Sequence, residues 1–359
     1  QTSILDANGA SINIEETVAG ADTSLSLRAA DGIIGGAGGT SSATNDLALD
    51  VNVDTVAADG ETGIYLREVS TGGPITVDTA DAVMVDIEEV VRVDFDSDTS
   101  DVSEDRSLAS LEDLTTTTDG PIKLVAEAGT ITVNGGADTV GVSAAGTGDV
   151  LLEARGAMSD VIIHADVTSG SGHITLDADD DVDINGVLTT GGAGTIYVLS
   201  GTDTDIDATV SSADGDILIE SGADISQTAL ITSTAGDVGL IAAAGITQSA
   251  TGDITTTGGD VLIEASAGDW TMDGDATISF GGEDLVGVSG GTITLGVLSG
   301  TSTTANRIAL SAQTSILDAN GASINIEETV AGADTSLSLR AADGIIGGAG
   351  GTSSATNDL

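Results

Sequence analysis

Short runs in which aliphatic residues alternate with polar residues return at a nearly constant interval along the chain. Each run follows a corner-forming residue, and the runs begin at Gly148, Gly172, Gly194, Gly215, Gly236, Gly259, Gly282 and Asn306. Successive starts are 24, 22, 21, 21, 23, 23 and 24 residues apart. Alternation with a period of two is typical of a β-strand with one buried face. A fixed interval of roughly 20 to 50 residues indicates a solenoid.

Each interval contains three apolar positions, which we interpret as three short strands. The first strand carries the inward pairs Ile174/Leu176, Ile196/Val198, Ile217/Ile219, Val238/Leu240, Val261/Ile263 and Ile308/Leu310. The second carries Val182/Ile184, Ile206, Ile225, Ile246, Trp270/Met272 and Ile293/Leu295, and the third carries Leu188, Val210, Ile231, Ile254 and Ile278. Because equivalent residues recur in the same order, neighbouring coils pair in parallel. We therefore predict an all-β parallel β-helix (β-solenoid) with coils of about 21–24 residues and three strands each, in which corner glycines supply a positive φ.

A second, much longer repeat is exact in sequence. Residues 1–47 return without a change at residues 313–359, so the repeating unit is 312 residues long. We predict that residues 1–359 form one continuous solenoid segment cut from a tandem array, whose partners in cis are further copies of the same unit. The second copy begins immediately after the apolar run NRIALSA, so we expect an unbroken solenoid at the junction and no linker.

One stretch departs from the short interval. The segment MVDIEEVVRVDFD, from Met84 to Asp96, alternates as a strand and is followed by an acidic run. Leu108, Leu111 and Leu114 recur every third residue within that run, which predicts one short helix. We interpret residues 97–118 as an acidic insertion that projects from the shaft. Insertions on a repeat scaffold collect on its functional face, so we predict a lateral contact here.

Composition narrows the classes of protein that fit. Hydrophobic residues make up 40% of the chain and aromatic residues 1%, which suits a narrow lumen filled by aliphatic ladders. The 58 acidic residues against 8 basic ones give a formal net charge of −50. Such a charge excludes nucleic acid as a partner and disfavours anionic membranes, and no apolar run is long enough for membrane insertion. The outward carboxylates either keep a fibre soluble or bind Ca²⁺ that bridges fibres.

Two groups of acidic residues are candidate Ca²⁺ ligands. The denser group leaves the strand that begins at Met84, and it comprises Asp94, Asp96, Asp98, Asp101 and Glu104. The second comprises Asp181, Asp183 and Asn185, which match the opening of an EF-hand loop. The twelfth position of that loop should be a bidentate carboxylate but is Gly192. The alternative is therefore an ordinary strand that ends in a glycine turn.

Catalysis is the competing class of function, because parallel β-helices also support carbohydrate-active enzymes. Paired carboxylates such as Asp179 and Asp181 have a spacing that acid–base hydrolysis uses, but a chain with 58 acidic residues contains such pairs by chance. Lys123 is the only lysine, and His164 and His173 accompany no nucleophile motif. We therefore predict that the protein is not an enzyme and needs no cofactor beyond Ca²⁺.

The runs at residues 215–227, 236–254 and 258–270 read GDILIESGADISQ, GDVGLIAAAGITQSATGDI and GGDVLIEASAGDW. They resemble the repeat region of filamentous-haemagglutinin-like adhesins and of giant tandem-repeat bacterial surface proteins. The resemblance covers about residues 120–332, and no functional residue of that family carries over. It implies a right-handed parallel β-helix on the bacterial cell surface that acts in adhesion or cell–cell contact. We expect the structural shaft of an extracellular fibre or, alternatively, a subunit of a laterally assembled filament, sheath or surface layer.

Overall fold

The computed structural model describes residues 3–9, 11–16, 22–36, 47–69, 73–93, 99–321, 323–330 and 334–347. These residues form two parallel sheets, of 14 and 22 strands, and one antiparallel pair of strands. No helix is present among them, so none of the described residues forms a helix able to cross a membrane. The predicted parallel β-solenoid is confirmed, while its right-handedness stays a prediction.

The strands are numbered in chain order. The first part contains β1 (Ile14–Glu15), β2 (Ser24–Ala29), β3 (Ile33–Ile34), β4 (Leu49–Asn52) and β5 (Thr55–Gly60). The following part contains β6 (Gly63–Glu68), β7 (Ile75–Val77), β8 (Val83–Val93), β9 (Thr99–Leu108) and β10 (Leu114–Thr116). The regular coils begin with β11 (Ile122–Ala126), β12 (Ile131–Val133), β13 (Val140–Ala144), β14 (Val150–Ala154), β15 (Val161–Ile163), β16 (Asp166–Ser169), β17 (Ile174–Ala178), β18 (Val182–Ile184) and β19 (Leu188–Thr190). They continue with β20 (Ile196–Ser200), β21 (Thr204–Ile206), β22 (Val210–Ser212), β23 (Ile217–Ser221), β24 (Ile225–Gln227), β25 (Ile231–Ser233), β26 (Val238–Ala242), β27 (Ile246–Gln248) and β28 (Ile254–Thr256). The last ones are β29 (Val261–Ala265), β30 (Trp270–Met272), β31 (Thr277–Phe280), β32 (Asp284–Ser289), β33 (Ile293–Leu295), β34 (Val297–Gly300), β35 (Ala305–Ala312), β36 (Ile316–Asp318), β37 (Ile326–Glu328) and β38 (Asp334–Ala341).

Each regular coil contributes one strand to each of three ladders. The first strands stack in the 14-stranded sheet, where Ile174 pairs with Val150 in the coil before and with Ile196 in the coil after. The second and third strands belong to the 22-stranded sheet, because β5 pairs with both β7 and β10 and so joins their two ladders. Between Val150 and Ile308 the paired first strands repeat every 21 to 24 residues, as predicted.

The core follows directly from the alternation of side chains along each strand. In β17 every second residue is buried, and the same holds for β18 and β19. Leu176, Ile184 and Leu188 are fully buried, one from each strand of a single coil. Stacked coils therefore enclose one continuous aliphatic core, which confirms the three predicted ladders.

The corner glycines serve a purpose other than the one predicted from the sequence. The glycines that precede the first strands, such as Gly215 and Gly259, are not among the residues with positive φ. Instead, each lies against the backbone of the coil before it. A Cβ atom on Gly215 would be 2.0 Å from the carbonyl oxygen of Gly194, and one on Gly259 would be 1.9 Å from that of Gly236. Close approach between coils, and not turn conformation, requires glycine at these corners.

A hairpin leaves the coil between β7 and β10. It consists of β8 and β9, which pair in an antiparallel manner from Val83 opposite Leu108 to Val93 opposite Thr99. The predicted strand from Met84 is present. The predicted helix is wrong, because Leu108 ends β9 and Leu114 begins β10, where it is fully buried in the core. The valine-rich β8 offers the acidic run a strand partner, which overrides the leucine spacing.

The projecting part therefore differs from the predicted insertion, residues 97–118. It begins at Val83, before the acidic run, and ends at Leu108. Ala80 and Leu111 close its root through two backbone hydrogen bonds, of 2.7 and 3.0 Å. The chain is back within the solenoid at β10, which pairs with β5 and β13.

The two identical copies occupy different sides of the coil. Ser24–Ala29 pairs with β5 in the 22-stranded sheet, whereas Ser336–Ala341, with the same sequence SLSLRA, pairs with β35 in the 14-stranded sheet. Conversely, Ile14–Glu15 lies in the 14-stranded sheet and Ile326–Glu328 in the 22-stranded one. An alternation of serine and leucine fits any strand that has one buried and one exposed face, so this sequence does not select one side of the coil.

Candidate functional site

A row of aspartates follows the corner glycines from coil to coil. Asp237 donates its backbone N–H to Asp216 Oδ1 at 2.9 Å, and Asp260 donates to Asp237 Oδ1 at 2.8 Å. Asp284 continues the row by donating to Asp260 Oδ1 at 2.8 Å. The carboxylates of Asp216, Asp237 and Asp260 thus each bind the backbone of the next coil.

A second row stands at the corner before the second strands. Asp203 N donates to Asp181 Oδ1 at 2.9 Å, Asp224 N to Asp203 Oδ1 at 2.9 Å, and Gly245 N to Asp224 Oδ1 at 2.7 Å. Two unit charges one coil spacing apart, ~4.8 Å, repel by about 1 kcal/mol in water. A hydrogen bond to a charged acceptor contributes about 1.5–3 kcal/mol. The backbone donors therefore outweigh the repulsion, and both rows stabilise the solenoid.

Asp160, Asp180 and Asp181 form the group closest to a metal centre. Their carboxylate ligand atoms all lie within 4.8 Å of one another, and no other group of three among the described residues does so. Asp160 Oδ1 accepts the Asp181 N–H at 3.2 Å, and Asp180 Oδ1 accepts the hydroxyl of Thr202. These hydrogen bonds explain why the three carboxylates lie close together, because each bond joins two neighbouring coils at the same corner.

The sequence pattern identified Asp181 but not Asp160 or Asp180. Val161 pairs with Val182, so Asp160 is next to Asp181 only through the register of two coils. The 21-residue separation of Asp160 and Asp181 is a coil length, and a search at that interval would have found the pair.

The remaining residues of the EF-hand-like match do not join this group. Asp183 points outward between the buried Val182 and Ile184 and is stacked on Asp205. Burial, and then the neighbouring Asp205, raises the pKa of the Asp183 carboxyl. Asn185 is exposed in the turn, where its backbone N–H donates to Ile163 O at 2.7 Å. The stretch is a strand followed by a turn, and Ca²⁺ at these residues stays a prediction.

The other predicted group of Ca²⁺ ligands, which follows the strand that begins at Met84, is only partly within the described residues. Asp94, Asp96 and Asp98 lie outside the described residues, as does the side chain of Asp101. Glu104 is in β9, exposed, and forms an ion pair of 2.9 Å with Arg106. Ca²⁺ at this group also stays a prediction.

A further acidic group, which the sequence analysis missed, lies at the root of the hairpin. Asp113 is buried, with 7% of its surface exposed, and its Oδ1 has no hydrogen-bond partner. Burial, followed by the charges of Asp138, Glu112 and Asp78, raises the pKa of Asp113 to about 7. Nothing in the local sequence distinguishes this aspartate from many others, because its burial depends on how the hairpin rejoins the coil.

A shallow polar depression beside the row of corner aspartates is lined by Asp237, Asp260, Glu283 and Arg307, with serine, threonine and glycine. Arg307 is paired with Glu283 at 3.3 Å and with Asp284 at 2.7 Å. His173 does not line this depression, and its Nδ1 is 2.7 Å from Thr195 Oγ1.

Comparison with known proteins gives no relative. No family model matches the chain, and neither a curated protein nor a solved structure matches it.

Proposed function

We propose that the chain is a segment of the structural shaft of an extracellular bacterial fibre or giant adhesin, built from tandem solenoid units and acting in adhesion or cell–cell contact. Strand pairing across the junction between two units carries this proposal. β35 ends the first unit at Ala312, and it pairs over eight residues with β38 of the second copy, from Ala305–Asp334 to Ala312–Ala341.

All three ladders continue across the same junction. β36 pairs with β33, and β37 pairs with β34. Units joined by backbone hydrogen bonds on every side form a stiff rod, in contrast to domains on flexible linkers. A unit of about 13 coils would extend roughly 60 Å at a rise of ~4.8 Å per coil. The net charge of −50 keeps such a rod in solution.

A disulfide engineered across the junction between the two copies tests whether the shaft is continuous there. Ala309 and Ser338 are partners in the register of β35 and β38, both are exposed, and the chain has no cysteine. Partners on neighbouring strands are ~4.8 Å apart, within the roughly 4.4–6.8 Å that a disulfide spans between Cα atoms. We expect the Ala309→Cys/Ser338→Cys protein to form the bond nearly completely under mild oxidation, as measured by peptide mass spectrometry.

The control moves one cysteine by two residues along the same strand. In Ala309→Cys/Ser336→Cys the two positions are out of register, because Ser336 pairs with Arg307. We expect little cross-linking in this variant. Equal yields from the two variants would show that the junction is not paired as described and would remove the support for a continuous shaft.

The hairpin favours a second candidate function, lateral assembly of the rods. Residues paired across β8 and β9 share a face, and one face carries Val83, Val85, Ile87, Val90 and Leu108, all of them exposed. The register places Arg92 and Arg106 on the same face together with Glu104, which forms an ion pair of 2.9 Å with Arg106. The opposite face also carries the exposed Met84, Val91 and Val93, but there Asp86 lies directly opposite Asp105.

One partner is present in every fibre, a second copy of the chain, whose hairpin presents the same exposed apolar residues. Between Val83 and Leu108 the chain has nine acidic residues and two basic ones, so contact between hairpins rests on the burial of apolar surface and not on charge. We therefore infer that the hairpin of one rod docks on the hairpin of the next.

Lateral assembly is tested on the two faces of the hairpin. We expect Val85→Glu to abolish the bundling of wild-type rods in negative-stain electron microscopy and sedimentation velocity, without loss of stability, because Val85 is exposed. Met84→Glu, which places the same charge on the opposite face at another exposed position, should leave bundling intact. Single wild-type threads at physiological ionic strength, where the repulsion between rods is screened, or equal effects of the two substitutions, would contradict the assignment.

A further inference from the structure

The two copies of the repeated segment share their internal pairing. Ile4 forms a parallel bridge with Ile34, and the equivalent residues Ile316 and Ile346 form the same bridge. In both copies the first isoleucine accepts the backbone N–H of the glycine that follows the second isoleucine, at 2.8 Å. The different places of the two copies in the sheets therefore come from the strands beside them, and not from a different fold of the segment.

The strands beside the two copies lie at opposite edges. In the first copy, β2 pairs with β5 and β1 pairs with β4, and both partners belong to the following coil. In the second copy, β38 pairs with β35 and β37 pairs with β34, and both partners belong to the preceding coil. A strand inside a parallel sheet has two edges that can pair. One copy of the segment can therefore form both sets of pairs at once.

Apolar side chains that a following coil covers in the first copy are exposed in the second. Ile34 is fully buried, since β3 pairs with β6 and places Ile64 beside it, whereas the equivalent Ile346 is 47% exposed. Leu27 of β2 and the equivalent Leu339 of β38 both pack in the core. The second copy thus directs the same side chains inward, and its outer edge fits a further copy of β5 and β6.

We propose that, where a further unit follows residues 313–359, the second copy pairs at both edges, so that the 14-stranded sheet of one unit continues as the 22-stranded sheet of the next. The proposal rests on the tandem shaft proposed above, and the partner is a further copy of this chain. β35 lies in the 14-stranded sheet and β5 in the 22-stranded sheet. The strand SLSLRA pairs with both and therefore joins them.

The other two ladders make the reverse exchange. β37 extends the third ladder of the first unit, while the equivalent β1 pairs with β4 in the 14-stranded sheet. β36 extends the second ladder, and the bridge from Ile316 to Ile346 connects it to the equivalent of β3. β3 pairs with β6, again in the 14-stranded sheet. All three ladders therefore lead to one arrangement, in which the two sheets exchange sides at the junction.

The exchange changes the side from which each hairpin leaves the rod. The hairpin leaves between β7 and β10, and both of these strands pair with β5. In the next unit β5 lies in line with the 14-stranded sheet of the unit before it. Hairpins of consecutive units therefore leave from different sides of the coil, in addition to the gradual twist of the sheets.

Engineered disulfides test the exchange in a lengthened protein, in which residues 48–359 follow Leu359 once more. Ser336 is equivalent to Ser24, which pairs with Thr55 in the first unit. Paired residues on neighbouring strands are ~4.8 Å apart, a distance that a disulfide spans. We expect Ser336→Cys and Thr55→Cys of the added unit to cross-link nearly completely under mild oxidation, as measured by peptide mass spectrometry. Ser24→Cys/Thr55→Cys in the 359-residue chain is the positive control.

The negative control moves one cysteine by a further coil. Thr76 pairs with Thr55, so Thr76 of the added unit would be two coil rises from β38, ~9.6 Å, which a disulfide does not span. We expect Ser336→Cys to cross-link with Thr76→Cys of the added unit at least about tenfold less than with Thr55→Cys.

The pair Ala309→Cys/Ser338→Cys, placed in the same lengthened protein, reports on the shaft itself. If this pair cross-links while Ser336→Cys does not bond to Thr55→Cys of the added unit, the shaft stands and the exchange of sheets is overturned. Absence of both cross-links would overturn the shaft and the exchange together.

Discussion

Gly259→Ala is expected to destabilise the solenoid by about 3 kcal/mol, at the upper end of what overpacking costs. The added Cβ would be 1.9 Å from the carbonyl oxygen of Gly236 and 2.4 Å from its carbon, so the two coils must separate or tilt. Both contacts are with backbone, which cannot rotate away as a side chain can. Separation would also stretch the interstrand hydrogen bonds between β26 and β29 that follow this corner.

The neighbouring glycine is the matched control. A Cβ on Gly258 has its nearest contact at 3.6 Å, an ordinary van der Waals distance. Gly258→Ala should therefore change stability by less than about 1 kcal/mol, and it can even stabilise by limiting the unfolded chain. Trp270 belongs to the same coil as both glycines, so guanidinium unfolding followed by its fluorescence reports on each. Equal midpoints for the two variants would show that the coils are not packed this closely.

The second large loss of stability is expected inside the solenoid, where two buried glutamine side chains and Trp270 are linked by hydrogen bonds. Trp270 Nε1 donates to Gln248 Oε1 at 2.9 Å, and Gln248 Nε2 donates to Gln227 Oε1 at 2.9 Å and to Gly252 O at 3.1 Å. The three side chains are at most 1% exposed. Every polar atom of Gln248 thus has a partner within the core.

Gln248→Leu keeps the bulk of the side chain but leaves the indole N–H, the Gln227 Oε1 and the Gly252 carbonyl without this partner. Each unsatisfied buried group costs about 1–3 kcal/mol, so for three groups we expect a total loss of at least about 3 kcal/mol. Tryptophan fluorescence during chemical unfolding measures the loss. Gln313→Leu is the control, because the Gln313 side chain is exposed and among the described residues bonds only Asp343. A Gln248→Leu midpoint equal to that of the wild type would contradict the buried network.

The burial of side chains that depends only on their position in one strand was predictable from the sequence. The pairs Ile174/Leu176 and Val182/Ile184 are buried as the alternation predicts, because the direction of a strand side chain depends on its position alone. The glutamines of the lumen were missed for the opposite reason. Gln227 and Gln248 occupy inward positions two residues after Ile225 and Ile246. Hydrogen bonds to each other, to Trp270 and to backbone carbonyls make a polar residue acceptable there.

Features that depend on contacts between coils were largely beyond the sequence. The pairing of β8 with β9 could not be read from the leucine spacing, because the strand partner of the acidic run lies upstream of it. Asp160 became part of a candidate site through coil register, and Asp113 through the closure of the hairpin by Ala80 and Leu111. In each of these cases the feature arises where two segments of the chain meet, and the sequence of either segment alone does not predict it.

The identical segment that pairs in different sheets in its two copies has a consequence for how the solenoid forms. Because SLSLRA fits either sheet, its final side is decided by the strand already in place beside it. The strands at the end of the folded coils then serve as the template on which the next coil pairs. Growth from such an end would proceed coil by coil in one direction, and an error in the first coil would pass to every coil added after it.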